Sequence, residues 1–126
     1  MQGPKRPMVH DNRKRYLVLH VASPEGVGKG LLINLIRGRT RDLSEEEFER
    51  VKPWFVYYHQ GWAIIRTWHR GYDDLILIIE ELNGRELKEG RLEMNIAGIS
   101  GTLRSAFLKF VPQNVREQKH YRDEIK

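Results

Sequence analysis

Residues 54–82, WFVYYHQGWAIIRTWHRGYDDLILIIEEL, carry the clearest structural pattern in the chain. It opens with two aromatic and β-branched runs, residues 54–59 and 62–69, which flank a Gln-Gly pair. This pattern predicts two antiparallel strands joined by a tight turn. Over residues 72–82 the apolar side chains recur at intervals of three and four, which predicts a helix with one buried face.

The residues before this stretch supply one more strand and two helices. Residues 15–23 place leucine and valine at every second position, which predicts a strand with one side toward the core. After a glycine-rich segment, apolar residues at helical spacing predict a helix that ends at Gly38. Ser44 and Glu47 form the capping box of a second helix, which is predicted to run to about Val51.

The residues after this stretch supply the last strand and helix. Residues 91–97 alternate apolar and polar side chains, and residues 100–102 provide a capping segment for a helix that Pro112 stops. The order β α α β β α β α contains the split βαβ arrangement. The predicted fold class is therefore α+β: a four-stranded antiparallel sheet of RRM or ferredoxin-like type with extra helices, in a two-layer α/β sandwich.

The 126 residues suffice for one domain. We expect a flexible basic leader at 1–12, an RRM-like α/β domain at 13–112 and a polar C-terminal tail at 113–126. Lys and Arg number 22 against 17 Asp and Glu, and five of the cations fall within the first 15 residues. A basic arm and a second basic segment at 29–41 suit an RNA-binding protein, although a solubilising tail and solvated helix faces explain the same charges.

Several classes of function are disfavoured by composition. The chain has no Cys and its five His are widely separated, which argues against disulfides, thiolate catalysis and structural zinc. No apolar run approaches a membrane span, so we expect a soluble, cytoplasmic protein. Residues 23–30, SPEGVGKG, depart from a phosphate-binding loop at both ends, where Ser23 and Gly30 replace the required Gly and Ser or Thr.

Two further readings of the hairpin remain open. His59 and His69 flank it, and a histidine pair is able to cleave RNA without metal, so a free-standing ribonuclease is one alternative. The other alternative is a protein-interaction module without specific RNA binding. The aromatic side chains of the hairpin fit three alternative roles: platforms on which unpaired bases stack, part of the core, or the apolar centre of a protein interface. They are Trp54, Phe55, Tyr57, Tyr58, Trp62 and Trp68.

Three short stretches resemble one family. They are Arg13-Lys-Arg-Tyr-Leu17, Ala63-Ile-Ile-Arg-Thr67 and Ile99-Ser-Gly-Thr-Leu-Arg104. Over residues 13–111 the chain resembles the small RRM-like protein subunit of archaeal and eukaryotic ribonuclease P, the "Pop-five" family or ribonuclease P protein component 2.

The resemblance implies a ribonucleoprotein function in tRNA processing. The chain would be a non-catalytic accessory subunit that binds and supports ribonuclease P RNA, the endoribonuclease that removes the 5′ leader from precursor tRNA. It implies no cofactor on the protein, because the catalytic Mg²⁺ ions are held by the RNA. The implied protein partner is a larger TIM-barrel-like subunit in a 2:2 heterotetramer, and precursor tRNA is met indirectly.

The candidate RNA-binding residues are cations that are expected to reach phosphates and two hydroxyls that serve as a helix cap or anion site. Arg66 stands out among them, because a charge inside an apolar strand must reach a partner. The candidates are Arg13, Lys14, Arg15, Lys29, Arg37, Arg39, Arg41, Arg66, Arg70, Ser100, Thr102, Arg104 and Lys109.

Overall fold

The computed structural model describes residues 13–22, 28–88 and 90–117. A 3₁₀ turn at His69–Gly71 separates the strand that ends at Trp68 from the helix that begins at Tyr72. The elements in chain order are β1 (Lys14–Val21), α1 (Lys29–Arg41), α2 (Glu45–Val51), β2 (Trp54–His59), β3 (Trp62–Trp68), α3 (Tyr72–Leu82), β4 (Glu86–Leu87), β5 (Gly90–Arg91), β6 (Met94–Ser100), α4 (Leu103–Phe110) and α5 (Gln113–Glu117).

Four strands form one antiparallel sheet in the order β2-β3-β1-β6, and β4 and β5 form a separate two-stranded ribbon. The central strands β1 and β3 are not consecutive in the chain, as the split βαβ arrangement requires. The α+β fold class with a four-stranded antiparallel sheet and extra helices is therefore confirmed.

The hairpin turn between β2 and β3 depends on backbone conformations that few residues adopt. Gln60 has φ +49° and Gly61 has φ +82°, and two consecutive positive φ angles characterise the turn that matches the twist of a two-residue hairpin. A Cβ atom at Gly61 would also lie 2.7 Å from the carbonyl oxygen of Val21. The predicted hairpin is confirmed, although β3 ends at Trp68 and not at His69.

One face of the sheet packs against α1 and α3. Leu17 and Leu19 of β1 are fully buried there with Ile36 of α1 and Leu75 of α3. The helix α1 continues to Arg41, so the predicted end at Gly38 is wrong. Burial at residues 32, 36 and 40 continues the apolar face past the glycine, and the Thr40 hydroxyl donates to the Ile36 carbonyl oxygen at 2.7 Å. This burial offsets the modest cost of a glycine inside a helix.

The opposite face of the sheet packs against α4 and α5. Val18 and Ile64 of the sheet are fully buried with Phe107 of α4, and the Tyr57 ring meets the Phe107 ring edge-on at 5.0 Å. Gly98 of β6 permits the close approach of α4, since a Cβ atom there would lie 2.2 Å from the ring of Phe110. The middle of this face is therefore occupied by the protein's own helices.

The C-terminal half departs from the predicted strand boundaries. The last strand of the sheet runs from Met94 to Ser100, whereas residues 91–97 were the predicted strand. Residues 90 and 91 pair instead with β4, and the Asn83 side chain accepts a hydrogen bond from the Met94 N–H at 2.8 Å where the chain enters the sheet. Alternation of apolar and polar residues does not reveal with which strand each residue pairs.

The predicted leader at 1–12 and the tail residues 118–126 lie outside the described residues. The described part of the predicted tail, residues 113–117, forms α5, and Val115 is buried against α4. Over 13–22, 28–88 and 90–117, no helix has the length and apolar character needed to cross a membrane.

Candidate nucleic-acid interface

Strand register brings distant basic segments to one end of the sheet. Lys14 at the start of β1 lies opposite Trp68 at the end of β3. Tyr16 pairs with Arg66 on one side and Ser100 on the other. One end of the sheet therefore holds the start of β1, the start of β2, the end of β3 and the end of β6. We call it the basic end.

Two cavities lie at this end: one of about 380 Å³ is lined by residues of α1 and α2, and one of about 130 Å³ is lined by residues of β1 and β3. Both are lined by Lys52 and Trp54, so they form one continuous feature around the tryptophan. We call it the Trp54 groove. Its cations are Lys14, Arg37, Arg41, Lys52 and Arg66.

The helix α1 delivers two of these cations. It starts near the end of β1 that is remote from the basic end and runs back, so its last turns reach Trp54. Arg37 and Arg41 stand four residues apart and therefore share one helix face. The Arg37 guanidinium carbon lies 5.5 Å from the centre of the Trp54 ring, within the range of a cation–π interaction.

Lys52 belongs to the groove but was missing from the sequence-based candidates. It ends α2 in a left-handed conformation, with φ 33° and ψ 65°, immediately before the buried Pro53. Its ammonium group also lies 2.9 Å from a Glu49 carboxylate oxygen. A lysine after an acidic helix is typical of a solvated helix end, and only the turn into β2 brings this one beside Trp54.

The remaining charges of the groove have no acidic neighbour among the residues that the structure describes. No carboxylate oxygen of a described residue lies within 4.0 Å of the charged nitrogens of the other four groove cations. Arg66 projects from the same face as its cross-strand neighbours Tyr16 and Trp54. A cluster of unneutralised cations beside an aromatic ring is suited to binding a phosphate backbone.

The start of α4 lies at the same end. The Arg15 guanidinium comes within 3.4 Å of the position that a Cβ atom of Gly101 would take. The Thr102 hydroxyl accepts a hydrogen bond from the Ser105 N–H at 3.1 Å, which is an N-cap contact. Arg104 is exposed on the first turn of α4. The predicted capping role of Thr102 is thus confirmed, and an anion site there stays a prediction.

Two more candidates lie beside the groove. The carbonyl oxygen of Arg13 accepts a hydrogen bond from the His69 N–H at 2.7 Å, which ties the residue before β1 to the residue after β3. Arg70 follows in the 3₁₀ turn and is exposed. Both therefore extend the basic end beyond the sheet itself.

Three candidates are placed elsewhere or are committed to other partners. Lys29 lies at the start of α1, at the opposite end of the sheet. Arg39 hydrogen-bonds and ion-pairs with Glu81 of α3 and with Asp42, and these hydrogen bonds, to Glu81 first, raise the pKa of Arg39 above its ordinary value. Lys109 is exposed in the last turn of α4. None of the three lines the groove.

The paired-histidine ribonuclease is wrong on geometry. His59 ends β2 at the turn, and His69 follows β3 at the basic end. The seven residues of β3 lie between them, which at the rise of a strand is roughly 20 Å. Two histidines that share one scissile phosphate must lie far closer than this. Among the described residues, no three His, Asp or Glu side chains are grouped as metal ligands.

The hairpin aromatics divide between core and surface. Tyr57 is buried, and Phe55 and Tyr58 pack against the core on the α1 and α3 face. Trp62 stacks on His20 with ring centres 4.4 Å apart at the end remote from the groove. Trp54 is the large aromatic side chain that is mostly exposed among the residues described, at 53%. Trp68 is half-buried and lines the groove. Trp54 is therefore the most exposed stacking platform among the six aromatic candidates.

Comparisons with known proteins bear on the family and the fold of the chain. No model of a known protein family matches the chain. Ribonuclease P protein component 2 of Methanocaldococcus jannaschii is 32% identical over 104 residues, which cover 79% of this chain and 73% of that protein. A chain in the cryo-EM structure of yeast ribonuclease MRP shares the fold with a TM-score of 0.60 and 17% identity, over 90% of this chain and 91% of that chain. The chain belongs to the ribonuclease P protein component 2 family.

Proposed function

We propose that this chain is an accessory protein subunit of ribonuclease P and that its basic end binds the RNA of that enzyme. The observation that carries the proposal is convergence: Lys14, Arg37, Lys52 and Arg66 come from four separate segments and meet around one groove. Membership of the ribonuclease P protein component 2 family supports the same assignment.

The physical service of such a subunit is electrostatic. Folding of a large RNA brings phosphates together, and their repulsion is otherwise reduced by counterions. A fixed cluster of cations supplies part of that neutralisation and releases counterions on binding. The RNA then folds and holds precursor tRNA at a lower Mg²⁺ concentration. In this proposal the catalytic Mg²⁺ ions are held by the RNA, and the protein contributes no catalytic residue to removal of the 5′ leader.

The proposal extends to a protein partner. The larger TIM-barrel-like subunit is expected to bind this chain in a 2:2 heterotetramer, as the family resemblance implies, within a cytoplasmic ribonucleoprotein. Ile96 on the outer strand β6 and Leu108 on α4 are partly exposed apolar side chains that lie away from the groove. Native mass spectrometry of the reconstituted assembly measures the copy number, and a 1:1 complex would contradict the tetramer.

The decisive experiment is reconstituted cleavage of precursor tRNA over a range of Mg²⁺ concentrations. We expect half-maximal cleavage at lower Mg²⁺ when the protein is present with its RNA and partner subunit than when it is omitted. Lys14→Ala with Arg66→Ala in one chain should shift the requirement back upward. Arg85→Ala with Arg91→Ala in one chain is the matched control, because it also removes two positive charges, from exposed side chains near the opposite end of the sheet. An unchanged Mg²⁺ requirement on adding the protein would remove the basis of the proposal.

The competing interaction-module function is tested by specificity. A gel shift at physiological salt compares ribonuclease P RNA with random RNA of equal length. We expect tighter binding to ribonuclease P RNA. Equal binding to both would favour a protein-interaction module whose RNA affinity is only a consequence of net charge.

A further inference from the structure

The geometry points to a stacking site for one unpaired RNA base on Trp54, with the phosphates on either side held by the groove cations. This inference rests on the proposed function and names the kind of RNA segment that the groove takes. It concerns single-stranded nucleotides, because a base within a duplex already stacks on its neighbours and has no face free for a side chain.

The exposure of Trp54 is the first observation. A tryptophan carries the largest apolar surface of any side chain, and burial of that surface is favourable. Trp62 and Trp68 are half-buried, yet Trp54 remains 53% exposed at the outer strand of the sheet. Its position at the start of β2 contributes little to either core cluster, so packing alone does not account for a tryptophan at this point.

The setting of the ring is the second observation. Arg37 lies over the ring at 5.5 Å, so one face is already occupied by a guanidinium. This contact restrains the side chain, which lowers the entropy that binding must remove. The second cavity is lined by Trp54 itself together with Lys14, Arg66 and Trp68, so a base placed in that cavity would lie against the tryptophan. A stack of guanidinium, indole and base is an arrangement that single-strand binding sites use.

The charges around the ring select the occupant. A hydrophobic protein partner would have to bury the surrounding cations, and Lys14 and Arg66 have no carboxylate within 4.0 Å among the described residues. Burial of unpaired charge is costly, whereas a nucleotide brings an aromatic base and its own phosphate together. Aromatic ring and cations thus match the two halves of one nucleotide.

The test compares ligands that differ only in their bases. The full chain is titrated into a fluorescently labelled 12-nucleotide oligouridine and into an abasic 12-mer with the same number of phosphates. Trp54→Ala is expected to weaken oligouridine binding about 5- to 150-fold, which is the range that stacking of one base supports. Binding of the abasic strand should change less than about twofold, because phosphate contacts do not depend on the ring.

Two further variants separate stacking from folding. Trp54→Phe keeps an aromatic face and should retain part of the oligouridine affinity, even where Trp54→Ala lowers the melting temperature. Leu77→Ala is the control for loss of an exposed apolar side chain, since Leu77 is 60% exposed on α3 and far from the groove. The Leu77→Ala variant should bind oligouridine and the abasic 12-mer as tightly as the unmodified chain does.

The outcomes are distinct. Equal loss of oligouridine and abasic binding in Trp54→Ala, or no loss in either, overturns the stacking site and leaves the proposed function standing. A poly-glutamate peptide is the probe for an acidic protein partner. If the peptide displaces oligouridine, and Trp54→Ala weakens peptide binding as much as oligouridine binding, the stacking site is also overturned, because the ring would then serve an acidic protein. If the unmodified chain binds neither 12-mer and does not bind ribonuclease P RNA, both proposals are overturned.

Discussion

The substitution Arg66→Ala tests most directly whether the groove cations contact phosphates. Arg66 is half-buried near the end of β3, and its backbone pairs with β1 on one side and β2 on the other. An alanine retains all of these main-chain hydrogen bonds. We therefore expect the variant to fold and to lose one positive charge from the smaller cavity of the Trp54 groove.

The expected magnitude comes from the five groove cations. Each phosphate neutralised on a single strand contributes about −0.7 to the slope of log affinity against log salt, so the slope should be about −3.5 for the unmodified chain and about −2.8 for Arg66→Ala. Between 50 and 200 mM salt the unmodified chain should lose affinity roughly 130-fold and the variant roughly 50-fold. The defect of the variant should thus shrink by about 2.6-fold across that range.

Fluorescence anisotropy with oligouridine at four salt concentrations measures both slopes. Arg91→Ala removes the same side chain and the same charge from a site where Arg91 faces Glu86 at 3.7 Å, near the opposite end of the sheet. Its slope should equal that of the unmodified chain. Equal slopes for Arg66→Ala and the unmodified chain, or an equal decrease in Arg91→Ala, would refute the assignment of phosphate contacts to the groove.

Three further predictions concern stability, each measured by urea unfolding. Gly98→Ala should lower the free energy of unfolding by about 1–3 kcal/mol, because the new Cβ atom overlaps Phe110. Gly38→Ala is the control and should not destabilise the protein, because no atom lies within 4 Å of its new Cβ atom. A larger loss of stability in Gly38→Ala than in Gly98→Ala would contradict the packing of α4. Ser44→Ala removes the capping box of α2 and should cost about 1 kcal/mol, and no change would show that the cap is dispensable. Burial raises the pKa of Tyr58 above its ordinary 10.0, so this tyrosine ionises at a lower pH in the unfolded chain than in the folded one. The free energy of unfolding should therefore fall as the pH rises through 10. Tyr58→Phe should lose less stability than the unmodified chain between pH 9 and 11, and an equal loss would contradict this origin.

The elements of the fold follow from local patterns, but the packing of α4 does not. Residues 103, 107, 108 and 111 predict an amphipathic helix, which requires that the helix bury one face somewhere. They do not indicate which surface receives it. That choice depends on Gly98, whose missing side chain admits Phe110 across the β6 strand. A contact between residues on different elements is not recorded in the periodicity of either.

The candidate site shows the same division between residue type and placement. Arg37, Arg39 and Arg41 are indistinguishable by type, yet the first and third share a helix face and line the groove, while Arg39 points toward Glu81 of α3. Helical spacing alone separates Arg39 from the other two. The inclusion of Lys52 depends on the tight turn between α2 and β2, and the separation of His59 from His69 depends on the length of β3.

Helices on both sides of the sheet leave its perimeter as the part of the β-structure that is able to meet a ligand. At a perimeter, successive contact groups come from neighbouring strands, and the ladder of main-chain hydrogen bonds sets their lateral separation near 4.8 Å. Lys14, Arg66 and Trp54 stand on three adjacent strands in this way. Their spacing is therefore built into the backbone, so that in the proposed complex a flexible RNA would adjust to the protein and not the protein to the RNA.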